Sequence, residues 1–290
     1  MSKAENPLTK IWRSLPFTGK AGPLVTVIEL SGVIGVTGPG RKGLSLQKLE
    51  KTIEAAFKPS GLDAVALAIN SPGGSPVQSR LIFSAIRRLA KEKDVPVLAF
   101  IEDVGASGGY ILAIAGDEIY ADESSVVGSI GVISGGFGFQ DAIARLGIER
   151  RVYTAGENKT MLDPFKPEDP EDVARLRVIL EDLHAQFIDL VKSRRPGKVE
   201  DDPEIFSGAI WTGPKAREKG LIDGTAQLDD FLRARYGKDV KIKRMSPEGG
   251  SLLMRLLSSS DAMASPSSLI DAEALLEAAE RKALWARFGL

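Results

Sequence analysis

The sequence predicts an α/β fold, on three observations. Short, nearly continuous apolar runs alternate with segments whose apolar residues recur at helical spacing. The runs lack the in–out alternation of a half-exposed sheet, so a sheet covered on both faces is expected. Glycine-rich turns fall where runs give way to helical segments, at Ser71-Pro72-Gly73-Gly74 and at Gly105-Ala106-Ser107-Gly108-Gly109. Such βαβ alternation is the mark of an α/β domain.

Taken in order, LVTVIEL (24–30) reads as a strand. SLQKLEKTIEAAF (45–57) spaces Leu46, Leu49, Ile53 and Phe57 along one helix face, with Ser45 as the N-cap. AVALAIN (64–70) is a buried strand, VQSRLIFSAIRRLAKEK (77–93) a helix, and VPVLAFIE (95–102) a second buried strand. GYILAIAGD, after Ser107, predicts a helix stopped near Gly116, followed by a short strand at EIYA (118–121). FQDAIARLGI (139–148) and RRVYTAG (150–156) predict a further helix and strand. A long helix over about 170–194 carries Val173, Leu176, Leu180, Leu183, Phe187 and Leu190 as its apolar stripe. WTGPKAREKGLID (211–223), a helix at 228–235 and the strand VKIKRM (240–245) complete the main domain, residues 23–245. Residues 246–267 are Ser-rich and read as a connector. Residues 268–290 form an amphipathic helix bearing Leu269, Leu275, Leu276 and Leu284, suited to oligomer contact or docking on the core. No internal repeat is visible.

Composition narrows the function classes. The 290 residues are 43% hydrophobic and 27% charged, ordinary globular values. With 38 basic and 39 acidic residues the formal charge is −1, which gives no reason to expect a nucleic-acid partner. The chain has no cysteine, so disulfides, thiolate metal sites and a cysteine nucleophile are excluded together. No stretch approaches the ~18 apolar residues of a membrane span. The leader, residues 1–22, is broken by Pro7 and Pro16 and lacks the apolar core of a secretory signal. These features predict a cytoplasmic protein. Lys3, Lys10, Arg13 and Lys20 leave a peripheral contact with an anionic membrane open, although each basic residue contributes only ~1 kcal/mol.

Ser107 stands out because it falls at a strand-to-helix junction. The first N–H groups of a helix are unpaired and favour negative charge. An oxyanion formed by attack from Ser107 would lie near the Gly108 N–H, and the neighbouring Gly74 could supply a second donor. The competing reading is structural, since tight strand–helix junctions need glycine whatever their function. GASGG also matches the G-x-S-x-G elbow of α/β hydrolases, for which Ser107, Asp163 and His184 stand in the right chain order. His184, however, falls within the long helix beside its apolar stripe, whereas such histidines come from loops. The triad therefore fails on context. Lysine is the remaining base. With a free pKa near ~10.4, it must be desolvated before it can accept a proton. Most lysines lie in hydrophilic runs, but Lys159 falls between the expected strand RVYTAG and the moderately apolar TMLDPF. Placement alone leaves the choice of base open.

Four ordered motifs decide more. AINSPGGSP (68–76), VGASGGYILAIAGDEIYADESSVVGSIGV (104–132), YTAGENKTMLDPF (153–165) and FSGAIWTGPKAREKGLIDG (206–224) resemble the signal peptide peptidase A (SppA) family of serine peptidases. The resemblance extends over residues 24–235. It implies the ClpP/crotonase-like fold, a repeated ββα spiral, here with a C-terminal helical extension. It also implies a Ser–Lys dyad with Ser107 as nucleophile and Lys159 as general base. Gly74 and Gly108 match the oxyanion-hole positions, and Ser129 falls where the family places a hydroxyl beside the lysine. No cofactor or metal is implied. The implied substrates are peptides, hydrophobic or signal-peptide-like, cleaved within a homo-oligomeric ring. Asn158 departs from the tyrosine that often precedes the lysine, no N-terminal anchor is seen, and the length argues against the family's tandem-domain form. An acyl-CoA enzyme of the crotonase type and a catalytically silent membrane-quality-control scaffold are the alternatives on the same fold.

Overall fold

The computed structural model describes residues 22–35, 43–199, 202–245, 282 and 285–288. In chain order its regular elements are β1 (Leu24–Ser31), α1 (Leu46–Phe57), β2 (Leu62–Ser71), α2 (Pro76–Lys93) and β3 (Val97–Ala106). Next come α3 (Gly108–Ala113), β4 (Glu118–Ala121), β5 (Val126–Gly128), α4 (Gln140–Arg145) and α5 (Pro170–Arg194). A 3-10 turn (Pro203–Phe206), β6 (Ile210–Thr212), α6 (Gly213–Glu218), β7 (Gly224–Thr225), α7 (Leu228–Tyr236) and β8 (Lys241–Met245) follow. The chain is α/β, as its sequence predicts. It divides into two compact units, the described residues of Met1–Gly128 with Ile210–Leu290, and those of Ser129–Ala209.

The first unit is built on one sheet in the order β6-β5-β3-β2-β1-β8, with β4 pairing β3 and β7. Every pairing is parallel except β5 with β6. Both faces are covered, which explains the continuous apolar runs. Val25 and Val27 of β1, Ala64, Ala66 and Ala68 of β2, and Leu98 and Phe100 of β3 pack with Leu232 of α7. The small alanines leave room for Phe100, Tyr120 and Phe231, whose ring centroids lie 4.3–5.5 Å apart, Phe100 stacked on Tyr120 and edge-on to Phe231. Residues of the other parity meet α1: the buried Thr26 hydroxyl donates to the Ala56 carbonyl at 2.9 Å. Leu49, Ile53 and Phe57 are the buried face of α1, and Ile82, Ile86 and Leu89 that of α2.

Helix ends follow local chemistry. Ser75 caps α2 through its side chain, and Pro76 at the first position forgoes only an N–H that the helix cannot use. Ser45 sits at the N-cap of α1 as expected, yet its hydroxyl makes no capping bond. The N–H of Leu46 is instead taken by the Gln78 side chain at 3.0 Å. The helix after Ser107 is shorter than its sequence suggests. Beyond Ala113 the bonds tighten to i→i+3, with Ala115 N–H donating to Leu112 and Gly116 N–H to Ala113.

The second unit holds α4, α5 and the loops around them. The expected apolar stripe of α5 is half-buried or buried at all six positions. The strand expected at 150–156 does not form: residues 151–154 are irregular, and Tyr153 is 91% exposed. A strand needs a partner, and all eight strands of the described residues belong to the first unit. The leader up to residue 21 and the connector 246–267 lie outside the described residues. Of the helix expected over 268–290, only Lys282 and residues 285–288 are described, with Lys282, Trp285 and Ala286 helical.

Replacing Ile53, which is 1% exposed, by alanine is expected to cost about 2–5 kcal/mol of stability. Urea unfolding checks this; a loss under about 1 kcal/mol would contradict the packing described.

Candidate active site

The site begins with an irregularity in the sheet. Ile69 of β2 pairs with Ile101, but Ser71 pairs with Gly105, so β3 carries two extra residues over this span. The extra pair, Glu102 and Asp103, is exposed. The Asn70 side chain fills the gap, donating to Asp103 at 2.5 Å and accepting from the Val104 N–H at 3.3 Å. A bulge of this kind re-aims the strand beyond it. It also changes partners: β3 pairs with β4 up to Ile101 and with β5 from Val104.

Ser107 follows the re-aimed end and precedes α3. Its φ of 53° and ψ of −121° cost a residue bearing a β-carbon on the order of 1–3 kcal/mol. Backbone bonds on both sides hold the conformation. The Ser107 N–H donates to the Gly128 carbonyl at 2.8 Å, and its carbonyl accepts from Tyr110 at 2.9 Å and Ile111 at 3.1 Å. The serine is half-buried, and its hydroxyl does not cap the helix. Tyr110, fully buried, anchors α3 through a 2.8 Å bond from its hydroxyl to the Leu221 carbonyl.

The turn after β2 lies directly against this junction. A β-carbon on Gly73 (φ +100°) would stand 2.8 Å from both the Ser107 Cβ and the Gly108 nitrogen. One on Gly108 would stand 2.4 Å from the Ser79 Oγ. Gly74 pairs with Ile34: the Ile34 N–H donates to the Gly73 carbonyl and the Ser75 N–H to the Ile34 carbonyl, both at 2.8 Å. Among the described residues, no acceptor takes the N–H of Gly74 or of Gly108. Two peptide donors thus remain available on the turns that meet at Ser107. Sequence reasoning singled out Gly74 and Gly108 but missed Gly73, although its signal, a second glycine in the same turn, was present.

Glu102 borders a cavity of about 590 Å³ in the same unit, with Asp122, Asp229 and Arg244 among its other walls. Although Glu102 is exposed as a residue, partial desolvation against the cavity wall holds its carboxyl above its ordinary range; Arg244 opposes the shift, and Asp103 and Glu29 add to it. Asp122 is held low by the Ser124 N–H and the Gln227 side chain.

Lys159 and Ser129 belong to the second unit. Lys159 is exposed on a turn, its N–H donating to the Gly156 carbonyl at 3.3 Å, rather than following a strand as its sequence suggests. Ser129 is half-buried, with a φ of 53° and its N–H donating to Ala209 at 2.7 Å. The elbow-type triad has no counterpart. The His184 ring lies 3.1 Å from the Ile130 carbonyl, while Asp163 receives Arg150 and the Phe165 N–H. Arg150 holds the Asp163 carboxyl below the usual range, helped by that backbone bond. Among the described residues no cluster of His, Asp or Glu could hold a metal ion, and no helix is long and apolar enough to cross a membrane.

The family model described as peptidase family S49 matches residues 89–242, more than half of the chain. A Synechocystis protein, slr0021, is 30% identical over 220 residues, which are 76% of this chain and 75% of that protein. The chloroplastic serine protease SPPA of Arabidopsis thaliana is 30% identical over 210 residues, 70% of this chain and 31% of that one. A protein of Brucella abortus named Na(+)/H(+) antiporter NhaA is 49% identical over 271 residues, covering 92% of this chain and 37% of that one. The chain thus spans about a third of the length of these last two relatives. A solved mutant of the 1510-N membrane-bound stomatin-specific protease, bound to a substrate peptide, aligns at a TM-score of 0.48 and 15% identity, over 83% of this chain and 98% of that one.

Gly73→Ala puts a methyl group where Ser107 and Gly108 already stand. It is expected to lower stability by about 1–3 kcal/mol and to shift the amide resonances of Ser107 and Gly108. Unchanged unfolding and unchanged resonances would contradict the close approach.

Proposed function

Because the chain belongs to peptidase family S49, we propose that it is a serine peptidase that works with a Ser107–Lys159 dyad. One observation carries the reading: Ser107 is held half-exposed at a strained φ, with two peptide N–H groups, those of Gly108 and Gly74, left without acceptors on adjoining turns. A nucleophile on a rigid junction beside fixed donors is what acyl transfer asks for, since preorganised dipoles stabilise the developing oxyanion without reorganising.

In the proposed reaction the neutral Lys159 amine takes the Ser107 proton as Oγ attacks the peptide carbonyl carbon. The carbonyl oxygen becomes an oxyanion bound by the N–H groups of Gly108 and Gly74. Its collapse breaks the C–N bond, and Lys159 returns the proton to the departing amine. A water molecule, deprotonated by the same lysine, then attacks the ester carbonyl; the C–O bond to Ser107 breaks, and the lysine returns the proton to Oγ, freeing the acid product and Ser107. The Ser129 hydroxyl orients the lysine amine. The substrates are hydrophobic, signal-peptide-like or unfolded peptide segments. The active form is an assembly of several copies, a reading supported by apolar side chains exposed on the second unit, among them Ile133 at 72%, Phe137 at 60% and Val178 at 58%.

Ser107→Ala and Lys159→Ala are each expected to lower kcat for an unstructured hydrophobic peptide by on the order of 10⁴-fold, with folding retained. Activity of either variant within tenfold of the unsubstituted protein would overturn the dyad.

A further inference from the structure

The turn that carries Lys159 is weakly tied by itself. Its own bonds are local: Lys159 N–H to Gly156, and Met161 N–H to Asn158, both at 3.3 Å. Firm attachment begins three residues later. Leu162, at a φ of 55°, donates its N–H to the Asp172 carboxylate on α5 at 3.1 Å. The Pro164 carbonyl accepts the Phe139 N–H at 2.6 Å. Between them stands Asp163, whose side chain is 3% exposed in a largely exposed loop. It receives the Arg150 guanidinium on one oxygen and the Phe165 N–H, at 3.0 Å, on the other. The same guanidinium lies 4.8 Å from the centre of the Phe165 ring, which in turn packs at 5.7 Å against Phe139.

We infer that Asp163 is a positioning residue for Lys159: by joining Arg150 to the Phe165 amide it fixes the loop that presents the amine four residues upstream. This rests on the Ser107–Lys159 reading above. An exposed, long side chain on a turn with only local bonds loses precision unless its base is fixed, and a misplacement near 1 Å costs on the order of 10²-fold in rate. The cover that Arg150 and the Phe165 amide give this carboxylate matters here. Exposed ion pairs contribute little because water screens them, whereas a charged bond sheltered on one side and shared with a backbone donor is firmer.

The test uses the full chain and an unstructured hydrophobic peptide. Asp163→Asn keeps an acceptor for the Phe165 N–H and removes the charge; Arg150→Met removes the charge from the other side. Both are expected to lower kcat by about 10- to 100-fold with KM changed less than threefold and the thermal midpoint near that of the unsubstituted protein. Asp163→Glu is expected to recover part of the loss, and combining Asp163→Asn with Arg150→Met to cost little more than either alone. Lys159→Ala is run beside them. If it is inactive while Asp163→Asn turns over at the unsubstituted rate, or if the Asp163 variants alter KM alone, the positioning role is overturned and the dyad stands. If Lys159→Ala is fully active, both readings fall.

Discussion

The constraint on which the first unit turns is a close approach of two backbones. The turn after β2 and the junction after β3 meet where Gly73 faces Ser107 and Gly108, at separations that no β-carbon on Gly73 could occupy. Everything nearby serves that contact. The two-residue bulge at Glu102 and Asp103 re-aims β3, and Asn70 fills the bulge with its own side chain. Tyr110 holds α3 from behind through the Leu221 carbonyl. The strain at Ser107 is held by backbone bonds to Gly128, Tyr110 and Ile111.

The sheet gives this junction its rigidity. Alanines at 64, 66 and 68 lie under an aromatic cluster, and the opposite face meets α1, where Thr26 bonds the Ala56 carbonyl. Because both faces are buried, the strands are written as continuous apolar runs, which is why β1, β2 and β3 were legible from the sequence. The same logic explains the one strand that failed. RRVYTAG has strand-like residues, but the described residues of the second unit include no partner strand, and Val152 and Tyr153 remain exposed. Propensity without pairing does not make a strand.

The candidate site was legible unevenly. Glycines on both turns drew attention to Ser107, Gly74 and Gly108, since close approach is paid for in residue type and so appears in the sequence. The bulge was not legible, because register depends on the partner strand rather than on local pattern. Nor was the setting of Lys159, which lies exposed on a turn and not behind an apolar strand. His184, discounted on its place in the helix, meets the Ile130 carbonyl and, among the described residues, no carboxylate. Asp163, met first as a formal triad member, joins Arg150 to the loop instead. Membership of peptidase family S49 makes the serine junction chemically meaningful, and the sequence motifs had pointed to the same family.

The central claim is that Ser107 forms a covalent acyl intermediate. Acid-quenched mixtures of the full chain with an unstructured hydrophobic peptide, digested and analysed by mass spectrometry, test it most directly. The account predicts an acyl adduct on the peptide containing Ser107 and none in Ser107→Ala. Turnover of the substrate with the adduct on another residue, or undiminished turnover by Ser107→Ala, would contradict it.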